Sequence, residues 1–207
     1  MIRLVVLLLV CAVPVRAEYA LCEEAIAVAE KANRLPPKLF GAIARAESGR
    51  ADAVGRVRPW PWTINLEGTG VYFPTKADAV AAVTLLQAGP PRSVDVGCMQ
   101  VSLLHHPRAF STIEDAFDPA INAAYAARFL VGLYRLKRDW PLATAAYHSQ
   151  DPERGEAYQK RVYGQVMTPM VVRAALPTAL APARTAAFGA FLPVDALFGA
   201  FAPGKRR

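Results

Sequence analysis

Glu47 is an acid set where an apolar side chain belongs. It closes the segment Leu35-Pro-Pro-Lys-Leu-Phe-Gly-Ala-Ile-Ala-Arg-Ala-Glu-Ser-Gly-Arg50, in which Pro36 and Pro37 suit the start of a helix and Gly49 its end. Leu39, Ile43 and Glu47 recur at i, i+4 and i+8 and share one helix face, flanked by Phe40 and Ala44. Burial on that face and the partial negative charge of a helix C-terminus both disfavour the ionised carboxylate. A glutamate so placed stays protonated near neutral pH and can donate a proton, as a general acid must. The competing reading is a solvated acid at a fraying helix end.

Two other segments hold side chains able to position a reacting group. Gly97-Cys98-Met99-Gln100-Val101-Ser102 puts a side-chain amide just after a glycine, among apolar neighbours, and Ala146-Tyr147-His148 sits late in the body on a helical stretch. His105 and His106 are adjacent, so they point to different faces, and without a paired CxxC they make no zinc site. They read as loop or surface residues before Pro107, and neither metal nor cofactor is expected.

The elements that must position these residues are mostly helical. Cys22 to Asn33 reads as a first helix, with Ile26, Ala29 and the aliphatic stem of Lys31 turned inward, and the helix ending at Glu47 follows. Trp60, Trp62, Ile64, Leu66, Val71, Tyr72 and Phe73 flank Glu67-Gly68-Thr69-Gly70, the texture of a small β-hairpin. Helical texture returns over Lys76 to Gln87. Asp118 as N-cap and Pro119 at the first position open a long helix to about Lys137, with Ile121, Tyr125, Phe129 and Leu133 among its apolar positions. Two shorter helices are predicted near Leu142 to Ser149 and Glu153 to Met167. The fold class is therefore α+β, mainly α-helical.

Residues 1–17 read as a cleaved signal peptide: a basic start at Arg3, an apolar core from Leu4 to Val10, and a small-x-small site at Val15-Arg16-Ala17. The apolar run is too short for a permanent span, so no integral membrane segment is expected after cleavage, with a retained anchor as the minor alternative. About 190 residues then remain, enough for one domain with a sizeable core, taken as 18–167. Loss of Arg3 and Arg16 lowers the formal charge from +7 to +5, which suits an anionic polymer such as cell wall or nucleic acid, or simply solubility. The basic residues are dispersed rather than striped, which argues against nucleic acid. Cys11 leaves with the signal, so Cys22 and Cys98 remain as an even pair in an oxidising compartment. A disulfide between them would close a loop of roughly 75 residues and contribute on the order of 4 kcal/mol; two separate buried thiols are the alternative. Residues 168–207 are Ala/Pro-rich, with scattered phenylalanines, and read as a flexible tail or a docking segment.

Glu47-Ser48, Gly97-Cys-Met-Gln-Val101 and Ala146-Tyr147-His148, in this order and behind an export signal, resemble the lytic transglycosylases with the soluble-lytic-transglycosylase (SLT) catalytic domain, glycoside hydrolase family 23. The resemblance covers roughly Ala20 to Val166. It implies a lysozyme-like fold with a small β-hairpin and a periplasmic enzyme acting on peptidoglycan glycan strands. The bond cut would be the β-1,4 linkage between N-acetylmuramic acid and N-acetylglucosamine, leaving 1,6-anhydro ends. Glu47 matches the family's catalytic acid/base; Ser48, Met99, Gln100 and Tyr147 match positions that line the glycan cleft or hold the acid. Ser102 and His148 depart from the asparagines usual there, which touches glycan contacts rather than the acid. Aromatic side chains at Trp60 and Trp62 could stack on sugars or pack in the core.

A hydrolytic muramidase on the same fold is the enzymatic alternative, and it would need a second carboxylate. Glu67 and Asp95 are the nearby candidates, with a solvated turn acid and a backbone-capping aspartate as the plainer readings. A reading of another class is a non-catalytic peptidoglycan-binding assembly factor of a secretion, pilus or flagellar machine, to which the segment after Thr168 would dock.

Overall fold

A computed structural model of the protein describes residues 15–167. Most of the expected signal peptide and all of the expected tail lie outside the described residues. Seven helices and six strands follow in the order α1 (Val15–Ala32), α2 (Leu39–Ser48), β1 (Gly49–Ala51), β2 (Val57–Pro59), β3 (Thr63–Leu66), β4 (Thr69–Tyr72), α3 (Lys76–Gln87), β5 (Val94–Val96), β6 (Val101–Ser102), α4 (Ile113–Ala116), α5 (Pro119–Lys137), α6 (Trp140–His148) and α7 (Pro152–Met167). The arrangement is α+β and lysozyme-like.

Local chemistry sets most of the boundaries. Thr75 caps α3 by accepting from the Asp78 N–H, Asp118 caps α5 through the Ala120 and Ile121 N–H groups with Pro119 behind it, and Asp139 caps α6. The start of α2 has no cap of its own, because Lys38 at that position has no side-chain acceptor. Glu30, reaching over from α1, accepts from the Lys38 and Phe40 N–H groups instead. At the other end Gly49 is extended rather than left-handed. It is needed for close approach: a Cβ there would stand 2.2 Å from the Arg45 carbonyl oxygen and 2.6 Å from Val57.

The β3–β4 hairpin turns through Glu67 and Gly68, both at positive φ. β5 pairs antiparallel with β3, and β6 with β5, giving the four-stranded order β4-β3-β5-β6; β1 and β2 form a separate antiparallel pair. Ile64, Val96 and Val101 lie opposite one another and are buried, while Asn65, Asp95 and Ser102 stand in register with the other phase of the pleat.

Two hydrophobic clusters result. One, on the helical side, gathers Leu39, Phe40, Ile43, Met99, Leu130 and Val162 with many alanines. The other, under the sheet, gathers Tyr19, Trp60, Trp62, Ile64, Phe73 and Phe117. Trp60 and Trp62 are thus core residues, 1% and 6% exposed, with their indole N–H groups donating to the Phe73 carbonyl and to Glu18. That settles the choice left open between sugar stacking and core packing.

Three sequence expectations are corrected. The first helix begins at Val15, not Cys22, because Tyr19 is wanted in the sheet-side core, edge-on to Trp60. Lys31 is exposed rather than inward. On α5 the fully buried face is Asn122, Ala123, Ala126, Ala127 and Leu130, whereas Ile121 is 42% exposed and Tyr125 and Phe129 are half-buried. Small residues let α1 lie close against α5, so the core took the alanine stripe.

Candidate active site

Glu47 occupies the last turn of α2, one turn beyond fully buried Ile43. Its Oε1 is buried and has no hydrogen-bond partner, although the residue as a whole is only half-buried. Burial is the main cause that lifts its carboxyl from the usual 4.5 to about 7. The negative charge of Asp95 adds to the rise, while the Tyr158 hydroxyl and the Arg161 guanidinium oppose it. The carboxyl therefore holds a transferable proton near neutral pH.

The segment 97–102 is built around one backbone turn. Gly97 has a φ of 79°, and a Cβ on it would sit 2.7 Å from the Asn122 amide nitrogen, so only glycine fits. Asn122, fully buried on α5, accepts from the Met99 N–H at 2.9 Å and donates to the Val96 and Ala116 carbonyls, both at 3.0 Å. All of its bonds go to the backbone of the turn and its surroundings. The disulfide joins Cys22 on α1 to Cys98 in this turn, with a Cα–Cα distance of 5.7 Å.

The side chains singled out in the sequence take unequal positions around it. Ser48 is fully buried and donates to the Cys98 carbonyl at 2.7 Å, tying the end of α2 to the turn rather than facing a cleft. Met99 is likewise fully buried in the helical core. Gln100 is half-buried at a φ of 47°, and its Nε2 donates to the Thr63 and Gly97 carbonyls. Tyr147, on α6, donates its hydroxyl to the Met99 carbonyl at 2.8 Å. Burial and then the nearby Glu47 charge hold that phenol well above its usual value. Glu47, Gln100 and Tyr147 are thus gathered around the turn, with Ser48 and Met99 beneath them.

Sequence reasoning missed Tyr158. Its hydroxyl, on α7, is buried without a partner that meets hydrogen-bond geometry, yet it lies near enough to the Glu47 carboxyl for the two to act on each other's proton affinity. Its ring is stacked on His148 at 4.4 Å, and the Arg161 guanidinium lies 5.2 Å from its centre. His148 therefore serves as packing for the tyrosine that faces the acid. The available signal was Tyr158 and Val162 at i, i+4 on a helix otherwise polar.

From Tyr147 a row of half-buried rings runs away from the acid: Phe129 at 5.6 Å, then His106 at 4.7 Å from Phe129. His106 also makes a 3.0 Å hydrogen bond with the Tyr125 hydroxyl, so it is more than a surface loop residue. A cavity of about 290 Å³ lined in part by Leu103, His106, Phe110 and Ile113 opens at the end of this row, and neither Glu47 nor Gln100 lines it.

The sheet side contributes different chemistry. Glu67 is exposed in its turn and paired with Arg92 at 2.6 Å. Asp95 is half-buried in β5, between Asn65 and Ser102, and its charge reaches Glu47 and Tyr147. Burial raises its carboxyl, while the Ser102 hydroxyl and His105 favour the charged form. Among the described residues no three His, Cys, Asp or Glu side chains cluster as a metal site would require.

A carboxyl with a buried, unpartnered oxygen and a raised proton affinity, near fixed amide and phenol groups, can protonate a leaving oxygen and then act as a base. A family model of the transglycosylase SLT domain matches residues 24–163. No curated protein and no solved structure was found to match the chain.

Proposed function

The chain belongs to the transglycosylase SLT domain family, which acts on peptidoglycan, and we propose that it is a lytic transglycosylase. It cleaves the β-1,4 bond between N-acetylmuramic acid and N-acetylglucosamine and leaves 1,6-anhydro-N-acetylmuramic acid ends. The observation that carries this reading is the Glu47 carboxyl, buried, unpartnered at Oε1 and titrating at about 7.

Glu47 gives its proton to the glycosidic oxygen as the bond from that oxygen to C1 breaks and C1 gains oxocarbenium character. The resulting carboxylate takes the proton of the muramic acid 6-hydroxyl as O6 bonds to C1. The anhydro ring closes and Glu47 is again protonated, so acid and base are one side chain. Gln100 and Tyr147, whose own donors are spent on the Thr63, Gly97 and Met99 carbonyls, give the site a rigid rim.

Asp95 favours one alternative, a hydrolytic muramidase, because its carboxyl is the one acid whose charge acts on Glu47. Mass spectrometry of products from purified peptidoglycan separates the two: anhydro ends support the transglycosylase, reducing ends the hydrolase, and no cleavage overturns both. The setting we propose is the periplasm, after removal of residues 1–17, in keeping with the Cys22–Cys98 disulfide.

A further inference from the structure

The segment that follows Glu47 is held at each residue. Ser48 donates its hydroxyl to the Cys98 carbonyl at 2.7 Å, and its own carbonyl accepts from the Trp60 N–H at 3.0 Å. The Gly49 carbonyl accepts from the Tyr72 hydroxyl, and Arg50 stands opposite Arg58 in the β1–β2 pair. Three residues span at most about 10 Å of chain, so the Arg50 backbone is fixed that close to the acid. The Arg50 guanidinium lies over the Trp60 ring, 4.6 Å from its centre, and 5.6 Å from that of Tyr72. Trp60 is buried, whereas Arg50 is only half-buried. The neighbouring cations are occupied: Arg56 pairs with Asp52, Arg58 with Glu23, and Arg45 bonds to Gln165. Among the described residues the Arg50 guanidinium has neither ion pair nor hydrogen bond. Ring faces engage the flat of a guanidinium and leave its N–H fork, the part that matches a carboxylate, unspent.

We infer that Arg50 binds a carboxylate that the substrate carries on its muramic acid. This rests on the substrate proposed above and names the feature by which it is told from a plain amino-sugar polymer. N-acetylmuramic acid differs from N-acetylglucosamine by a lactyl group, which ends either in a free carboxylate or in a stem peptide that bears carboxylates. A substituent of that kind, on the sugar whose bond Glu47 opens, lies within the distance that separates Glu47 from Arg50. An arginine already seated on Trp60 loses little further freedom when it meets an anion, and its fork can take both carboxylate oxygens. Arg58, opposite it, adds positive potential, but its own fork is spent on Glu23. A polymer of N-acetylglucosamine alone offers Arg50 nothing, so the contact selects for muramic acid.

The test measures kcat and KM on two glycans, one bearing stem peptides and one stripped of them by an amidase. Each is used as it is and with its carboxyls converted to carboxamides. For the wild type, conversion is expected to raise KM about 10-fold, the worth of one charge-assisted contact. It should leave kcat nearly unchanged, because the carboxylate is held equally in the ground and transition states. The glycan that shows the effect names the source, stem peptide in the first and lactyl group in the second. Arg50→Ala should raise KM by the same factor on that unmodified glycan and add nothing on its carboxamide form. Arg50→Lys, which keeps the charge without the fork, should recover part of the loss. A wild-type KM unmoved by conversion of either glycan would overturn the inference, and that arm needs no variant to fold. An Arg50→Ala that raised KM alike on both forms would also overturn it, since an arginine that merely covers Trp60 behaves so. An inactive wild type overturns the proposed reaction instead. Co-sedimentation with native and converted insoluble peptidoglycan then decides Arg50 by the same comparison.

Discussion

Glu47 and Asp95 are both half-buried acids whose carboxyls burial raises, but they differ in the hydrogen bonds their surroundings offer. Glu47 ends a helix whose buried face is Leu39, Phe40 and Ile43, and its Oε1 meets no donor. Asp95 lies in a sheet between an amide and a hydroxyl, and Ser102 favours its anion. A helix end withholds donors from an acid and adds the negative pole of its dipole, whereas a strand offers its cross-strand neighbours to the same face. The fold thus leaves the acid on the helical wall without a donor at Oε1 and gives the one on the sheet wall a hydroxyl that favours its anion against the effect of burial.

The largest effect that would break this contrast is at Glu47 itself. Glu47→Gln removes the transferable proton, and glycan cleavage should fall by at least the ~10²–10⁴-fold that general acid–base groups contribute. Near-wild-type release of anhydro-muropeptides by that variant would end the mechanism. Stability should move the other way. The folded carboxyl titrates at about 7 against 4.5 unfolded, so its stabilising contribution is complete below 4.5 and is lost as pH rises through 7. That loss is on the order of 3 kcal/mol, and Gln cannot undergo it. Melting curves of the two proteins should therefore coincide near pH 4 and separate by pH 8, with Glu47→Gln the more stable.

The disulfide ties α1, on the helical wall, to the turn that joins β5 to β6. Replacing Cys22 and Cys98 by Ser should cost on the order of 4 kcal/mol in urea unfolding. A loss below about 1 kcal/mol would mean that the walls hold together without it. Asn122 joins the same two regions by hydrogen bonds, and Asn122→Ala removes its bonds to the Met99 N–H and to the Val96 and Ala116 carbonyls. We expect about 2–3 kcal/mol of destabilisation, with a fall in activity as Tyr147 loses a fixed Met99 carbonyl.

The smallest change is the sharpest probe of the helical wall. Tyr158→Phe removes a hydroxyl that has no geometric partner, so stability should change by only about 1 kcal/mol or less. That hydroxyl holds the Glu47 proton affinity down, so its removal should move the alkaline limb of the activity profile to higher pH. An unmoved limb would place Tyr158 outside the acid's environment.

Local chemistry made much of this architecture legible. α3 begins after Thr75 and α5 after Asp118 because a cap is settled by residues within three or four positions. The Glu67-Gly68 turn fixed a hairpin, and the i, i+4, i+8 spacing put Glu47 on the Leu39–Ile43 face. The ordered Glu-Ser, Gly-x-Met-Gln and Ala-Tyr segments pointed to the family that the match over residues 24–163 shows.

What the chain alone left undecided depended on partners far away in sequence. Which stripe of α5 is buried was set by the close approach of α1, so alanines won over the larger Ile121, Tyr125 and Phe129. Whether Ser48 and Met99 face sugar or core was decided by the turn at Cys98, some fifty positions from Ser48. Tyr158 comes near Glu47 only after α7 has packed against α2, and the charge of Asp95 reaches that acid from a strand far away in sequence. Spacing along a chain fixes a side chain's direction on its own element, but an acid's proton affinity depends on everything that surrounds it, and only tertiary packing assembles those surroundings.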